Sequence, residues 1–163
     1  MRITDGLRSQ HVQVLELAAG IDAQLDVDRF TADATELRLQ LCAWARKLRV
    51  HLTLEDRQVY PRLARYPNPD LVEMARRHQQ QMRGVLEQLD RYSTTRLLQE
   101  LEDPTSARAL VEDTKKIFGL LADGFTFEQD NLYAIVDTIS SGTWTLDLVT
   151  DSAPPSAGAA TRK

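Results

Sequence analysis

A chain of 163 residues with 42% hydrophobic and 27% charged residues has the composition of one globular domain that buries a substantial core. The net charge of −4 gives no reason to expect nucleic acid as a partner, and the single cysteine excludes an internal disulfide. No apolar run is long enough to span a membrane and no signal-peptide region is recognised, so we expect a cytoplasmic protein without a membrane partner.

Apolar residues recur at steps of three and four along four segments of the chain, which predicts amphipathic helices. The predicted helices cover about residues 4–25, 31–60, 70–92 and 104–139, with a short helical piece at 96–102. Asp26 and Asp28 are expected to mark the first turn, and Pro61 to kink or end the second helix. Such helices with short connections predict an all-α fold, an antiparallel up-and-down four-helix bundle over residues 1–139. A C-terminal strap and flexible tail are expected over residues 140–163.

Five polar residues lie on the predicted apolar faces of these helices. They are His11, His51, Glu55, His78 and Glu128. Polar groups removed from water must be hydrogen-bonded, and buried charges must be paired or bound to metal. Imidazole nitrogens and carboxylate oxygens without a thiolate suit iron, manganese or zinc, so we predict that these residues are metal ligands. The competing interpretation is a hydrogen-bonded polar core without metal, because a lone inward histidine is more often a satisfied core residue.

An internal repeat strengthens the metal hypothesis. The segment HLTLEDRQVYP at 51–61 aligns with GFTFEQDNLYA at 124–134. Residues shared at matching offsets are Thr53 and Thr126, Glu55 and Glu128, and Tyr60 and Tyr133. At the position that aligns with His51, the second segment has Gly124. Gly124 has two interpretations: drift after loss of a second metal, or room for water, an exogenous ligand or Asp123 to complete a second ion. A Gly124→His variant is therefore expected to bind more metal.

The order and rough spacing of His11, the 51–61 segment and His78 resemble the hemerythrin-like family, the HHE cation-binding domains. The resemblance covers about residues 5–137, and the pattern H-x-x-x-E-D-x-x-x-Y-P at 51–61 is its most specific part. It implies that the glutamates of the second and fourth helices, Glu55 and Glu128, bridge two iron ions.

The same resemblance implies that the two iron positions are unequal. His11 and His51 would cap one iron, whereas the other would rely on His78. Met82 and Gly124 stand where oxygen-carrying members of the family have further histidines. The expected cofactor is therefore iron, in a mononuclear or an asymmetric di-iron site with one complete and one depleted half, with zinc and manganese as alternatives.

These residues predict a non-haem iron-binding protein that handles or senses iron, dioxygen or nitric oxide. A small diatomic ligand or peroxide is the expected partner, and whether a protein partner exists is left open by the sequence. Reversible oxygen carriage is not expected, because the histidine-rich half of the site is depleted. Two alternatives stay open: an iron-dependent enzyme that decomposes peroxide, and a metal-free helical interaction module that docks through residues 144–149.

Overall fold

Four long helices dominate the computed structural model, which describes residues 2–32, 34–96 and 103–141. The long helices are α1 (Asp5–Asp22), α3 (Thr35–Gln58), α5 (Pro69–Arg91) and α6 (Pro104–Phe127). The short helices are α2 (Val27–Ala32), α4 (Tyr60–Leu63) and α7 (Tyr133–Ser140), and π-helical turns occur at Tyr92–Arg96 and Glu128–Leu132. Within the described ranges there is no β-strand.

The long helices form a closed ring in which chain neighbours are also spatial neighbours. Helix α1 packs against α3 and α6, and α5 packs against the same two helices on the other side. Side chains spaced three and four residues apart give each helix one apolar face, and the ring buries all of these faces together. The all-α, up-and-down four-helix bundle predicted from the sequence is confirmed. None of the described helices is long and apolar enough to cross a membrane.

The buried apolar side chains form two clusters with a polar layer between them. The larger cluster contains Val14, Leu48 and Phe125, whereas the smaller one contains Leu7 and Val59. Along the chain, the buried histidines and glutamates fall between members of the two clusters. All five predicted site residues belong to this layer, and each is at most 5% exposed. The layer is therefore shielded from solvent by hydrophobic side chains on both sides.

The helix boundaries differ from the prediction where polar side chains bind the backbone. A separate helix, α2, follows the first turn, because the Asp26 carboxylate accepts the backbone N–H groups of Asp28 and Arg29 at 2.8 and 3.2 Å. The next long helix begins at Thr35 and not at residues 31–33. Pro61 ends this helix, since α3 stops at Gln58 and α4 restarts the chain.

Thr4, a plausible N-cap from its position before α1, makes no side-chain capping bond. Its hydroxyl lies 2.8 and 2.9 Å from the two carboxylate oxygens of Asp137, to which it donates. The Thr4 backbone N–H also donates to Asp137 over 3.1 Å. The start of α1 is thereby attached to α7, the last helix that the structure describes.

A π-helical turn interrupts the last predicted helix and changes which residues face the core. The periodicity predicts Ile135 and Ile139 as core residues after Leu132. The structure instead buries Tyr133 and Val136, and leaves both isoleucines only half-buried. One extra residue in a widened turn rotates the following helix, so the apolar face moves by one position.

Two further predictions fall mostly on residues that the structure does not describe. The helical piece at 96–102 lies outside the described residues beyond Arg96. The strap and tail at 140–163 likewise lie outside them beyond Ser141. Both stay predictions.

Candidate metal centre

Four of the predicted ligands meet in the polar layer of the bundle. One donor atom from each lies within 4.8 Å of the others, and the four residues are His11, His51, Glu55 and Glu128. His11 Nε2 is 3.5 Å from Glu55 Oε1 and 3.3 Å from Glu128 Oε2. His51 Nε2 is 3.4 Å from the same Glu55 oxygen. Helices α1 and α3 and the π-helical turn after α6 thus bring two imidazoles and two carboxylates to one place.

His78 lies beside this group but is not part of it. Its Nε2 is 2.8 Å from Glu128 Oε1, the distance of a good hydrogen bond. The Phe127 ring packs over the imidazole with ring centres 4.4 Å apart. The structure therefore joins the fifth predicted residue to the cluster through Glu128.

Three buried donor atoms of the cluster have no hydrogen-bond partner in the part of the chain that the structure describes. They are His51 Nε2, Glu55 Oε2 and Glu128 Oε2. Leaving such groups unpaired in a low-dielectric core costs roughly 1–3 kcal/mol each, and more when the group is charged. A cation bound between them would satisfy all three, so the residues fit a metal ion. The donors are nitrogen and oxygen only, which suits iron, manganese or zinc.

Two glutamines contact the imidazoles at Nδ1, on the side of each ring away from the cluster, and so orient them. His51 Nδ1 lies 2.9 Å from Gln10 Oε1, and because an amide oxygen only accepts, Nδ1 carries the proton and Nε2 presents its lone pair to the cluster. His11 Nδ1 lies 3.0 Å from the Gln129 amide nitrogen. Rotation of the Gln129 amide by 180° exchanges its nitrogen and oxygen, after which His11 would present Nε2 in the same way.

Two tyrosines join the glutamates crosswise, and sequence reasoning did not include them in the site. The Tyr60 hydroxyl donates to Glu128 Oε1 over 3.1 Å. The Tyr133 hydroxyl donates to Glu55 Oε1 and also lies 2.9 Å from His11 Nε2. Burial and the neighbouring carboxylates raise the pKa of both phenols far above the usual range, so both remain protonated donors.

The internal repeat was the available signal for these tyrosines. Each stands five residues after its own glutamate, and in a regular helix that offset points about 140° away from it. The helix break at Val59 and the π-helical turn at Glu128–Leu132 remove this regularity. Each tyrosine then reaches the glutamate of the other segment.

The cluster favours a charged His11 when no metal is bound. Burial disfavours the imidazolium, but the nearby carboxylates of Glu128 and Glu55 outweigh burial and raise the pKa of His11. Burial also acts against the Glu55 carboxylate, yet the neighbouring imidazoles of His11 and His51 hold the pKa of Glu55 well below its usual range. A proton on His11 thus offsets part of the negative charge that a metal would otherwise neutralise.

We expect the metal-free protein to lose stability as the pH rises above 6.5, the unperturbed pKa of histidine. The pKa of His11 is raised in the folded state above its unfolded value of 6.5, so its contribution is complete below that pH and disappears as the pH passes the folded-state pKa. The depressed pKa of Glu55 acts at the acidic side, where its contribution is lost as the pH falls. Thermal unfolding in chelator across this pH range measures the effect. A His11→Gln variant should lack the alkaline decline, and identical profiles for both proteins would contradict the assignment.

A surface pocket of about 440 Å³ reaches His78 beside the cluster. Its other lining residues include the buried Gly124, the half-buried Phe127 and the exposed Asp70 and Asp123. Asp123 is exposed and does not belong to the buried cluster. The pocket brings solvent close to the Glu128 side of the polar layer.

Inward side chains of facing helices that converge on one buried His/Glu cluster define a class, the four-helix-bundle proteins with a metal site in the core. A family model described as the Hemerythrin HHE cation binding domain matches residues 2–136 of this chain. The chain belongs to the hemerythrin HHE cation-binding family, as its sequence motifs indicated. Searches among curated proteins and among solved structures gave no significant match.

Proposed function

We propose that this protein binds non-haem iron in its polar layer and uses it to handle or sense iron, dioxygen or nitric oxide. His11, His51, Glu55 and Glu128 would hold the ion, and His78 would support Glu128 from the pocket side. The hypothesis of one complete and one depleted half-site belongs to the same proposal. The observation that carries it is the convergence of these four buried residues, three of which have a donor atom without a hydrogen-bond partner.

The chain's own residues would prepare the site for the metal and for a small ligand. Gln10 holds the His51 ring by its Nδ1 proton, and Tyr60 and Tyr133 hold one oxygen of each glutamate. These bonds fix the donor groups before the metal binds, which reduces the conformational entropy lost on binding. Bound iron would supply a redox-active Lewis acid that accepts small ligands.

The metal content of the purified protein tests this proposal. Protein produced in iron-replete cells and purified without oxygen is expected to contain about one iron ion per chain or more. Elemental analysis of the same sample for zinc and manganese identifies the metal if it is not iron. Much less than one ion per chain would refute the metal site. A rise of the melting temperature on adding iron, reversed by a chelator, would support specific binding to the native state.

The surface pocket favours a second candidate, peroxide decomposition. It leads a small molecule to His78, whose imidazole contacts Glu128 of the cluster. Steady-state peroxide turnover that is lost in a His51→Ala variant would support this activity. Turnover that survives the substitution would be assigned to a contaminant. Thermal stability indifferent to both iron and chelator would instead favour the metal-free interaction module.

A further inference from the structure

The repeat allows two aligned positions in the core, 51 and 124, to be compared directly. His51 lies one turn before Glu55, and Gly124 lies one turn before Glu128. The first place presents the unpartnered Nε2 of His51 to the cluster. At the second place, a Cβ atom added to Gly124 would lie 2.7 Å from Met82 Sδ and 3.3 Å from Met82 Cε. The volume that a side chain at position 124 would need is thus filled by Met82.

The neighbours of this volume are otherwise suited to a cation. His78 Cε1 lies 3.8 Å from the same Cβ position, and His78 Nε2 contacts the Glu128 carboxylate. Met82 follows His78 by one turn on α5 and is 4% exposed, as part of the larger apolar cluster. A thioether is a poor ligand for a hard cation, so it replaces a donor group there with an apolar one.

We propose that Met82 limits this protein to a single metal ion by filling the space beside Gly124 and His78 that a ligand for a second ion would need. In this arrangement His78 is a positioning residue, which donates its Nε2 proton to Glu128 Oε1 and does not bind the metal. The inference rests on the proposed metal site and decides its stoichiometry. It also replaces the simple expectation that Gly124→His adds metal, because the new side chain would need space that Met82 Sδ and Cε occupy.

The first test counts iron ions per chain after anaerobic reconstitution of the full chain with ferrous iron. We expect about one ion in the wild type and about two in Met82→His, which places an imidazole where the thioether lies. Met82→Leu is the matched control, since it keeps the apolar volume without a donor, and it should stay at about one. Two ions in the wild type, or one in a folded Met82→His, would overturn the inference. No ion in the wild type would instead refute the proposed function itself.

A second pair of variants keeps the test valid if Met82→His fails to fold. Gly124→His alone should not exceed about one ion per chain, whereas Gly124→His combined with Met82→Ala should reach about two. Circular dichroism verifies the helical fold of each. Two ions in the single variant would show that Met82 is not the limit, and one ion in the folded double variant would exclude a second position.

The positioning role of His78 has its own measurement. His78→Gln keeps an N–H donor for Glu128, so it should retain about one ion and lose less affinity than His78→Ala, for which a loss of about 10–100-fold is expected. Equal affinities in the two variants, or loss of the ion in both, would overturn this role.

Discussion

The Glu55→Gln variant is expected to bind metal at least about 100-fold more weakly than the wild type, because removal of a ligand should exceed the loss seen for outer-shell partners. The substitution keeps the shape of the side chain but removes its negative charge. It also replaces one metal-binding oxygen with an amide NH2 group, which donates hydrogen bonds and does not bind a cation. Glu55 Oε2 is one of the three unpartnered buried atoms, and Glu55 Oε1 faces both His11 and His51. The lost carboxylate therefore cannot be replaced by a neighbour already in the cluster.

Asp56 offers a matched control, since it is the next residue and an acid of the same kind. Its carboxylate accepts hydrogen bonds from Arg83 at 2.9 Å and from Gln79, and its side chain is 40% exposed. An Asp56→Asn variant should keep the wild-type metal affinity, because exposed ion pairs contribute roughly 0–1 kcal/mol and this one lies outside the cluster. Anaerobic titration with ferrous iron compares the variants. Equal losses in both would show that charge near the bundle, and not ligation by Glu55, determines affinity.

The Trp44→Ala variant is expected to lower the free energy of unfolding by about 3–5 kcal/mol, the range for removal of a large aromatic from a core. Trp44 is completely buried in the larger apolar cluster. Its indole meets the Phe118 ring edge-on with ring centres 4.8 Å apart. Truncation would leave a cavity that four packed helices cannot collapse, so the loss should fall at the upper part of the range. Chemical denaturation of the metal-free protein measures it.

Two controls separate the cavity from other effects of changing this residue. Trp44 Nε1 is buried and has no hydrogen-bond partner in the described chain, so Trp44→Phe removes an unsatisfied donor, keeps an aromatic ring and should cost less than Trp44→Ala. Leu39 lies on the same helix and is 62% exposed, and Leu39→Ala should change stability by no more than about 0.5 kcal/mol. A cost for Trp44→Phe as large as that for alanine would contradict the assignment of the loss to cavity volume.

Helical periodicity carried most of the fold prediction. The stripes predicted on the first two long helices are buried throughout, as Leu7 and Ala18 on α1 and Leu41 and Leu48 on α3 illustrate. This agreement has a local cause, because the spacing of about 3.6 residues per turn alone decides which side chains share a face. The prediction failed at Ile135, where the backbone departs from that spacing.

The candidate site, too, was predictable only where a local pattern in the sequence reports it. The inward direction of each predicted ligand could be inferred from its own helix, and the repeat drew attention to Glu55 and Glu128. The roles of Gln10 and Gln129 could not be inferred, since each contacts a histidine on a different helix. No local pattern reports such contacts.

The sequence by itself determined the helices, their buried faces and the family to which they belong, because these properties depend on residue types at short, regular spacing. Tertiary structure alone decided that Tyr60 and Tyr133 each bind the glutamate of the other segment. It also decided that His78 reaches the cluster through Glu128 and that Met82 fills the space beside Gly124. Those arrangements depend on distances of a few ångströms between helices, which are set by how all the side chains of the bundle pack together.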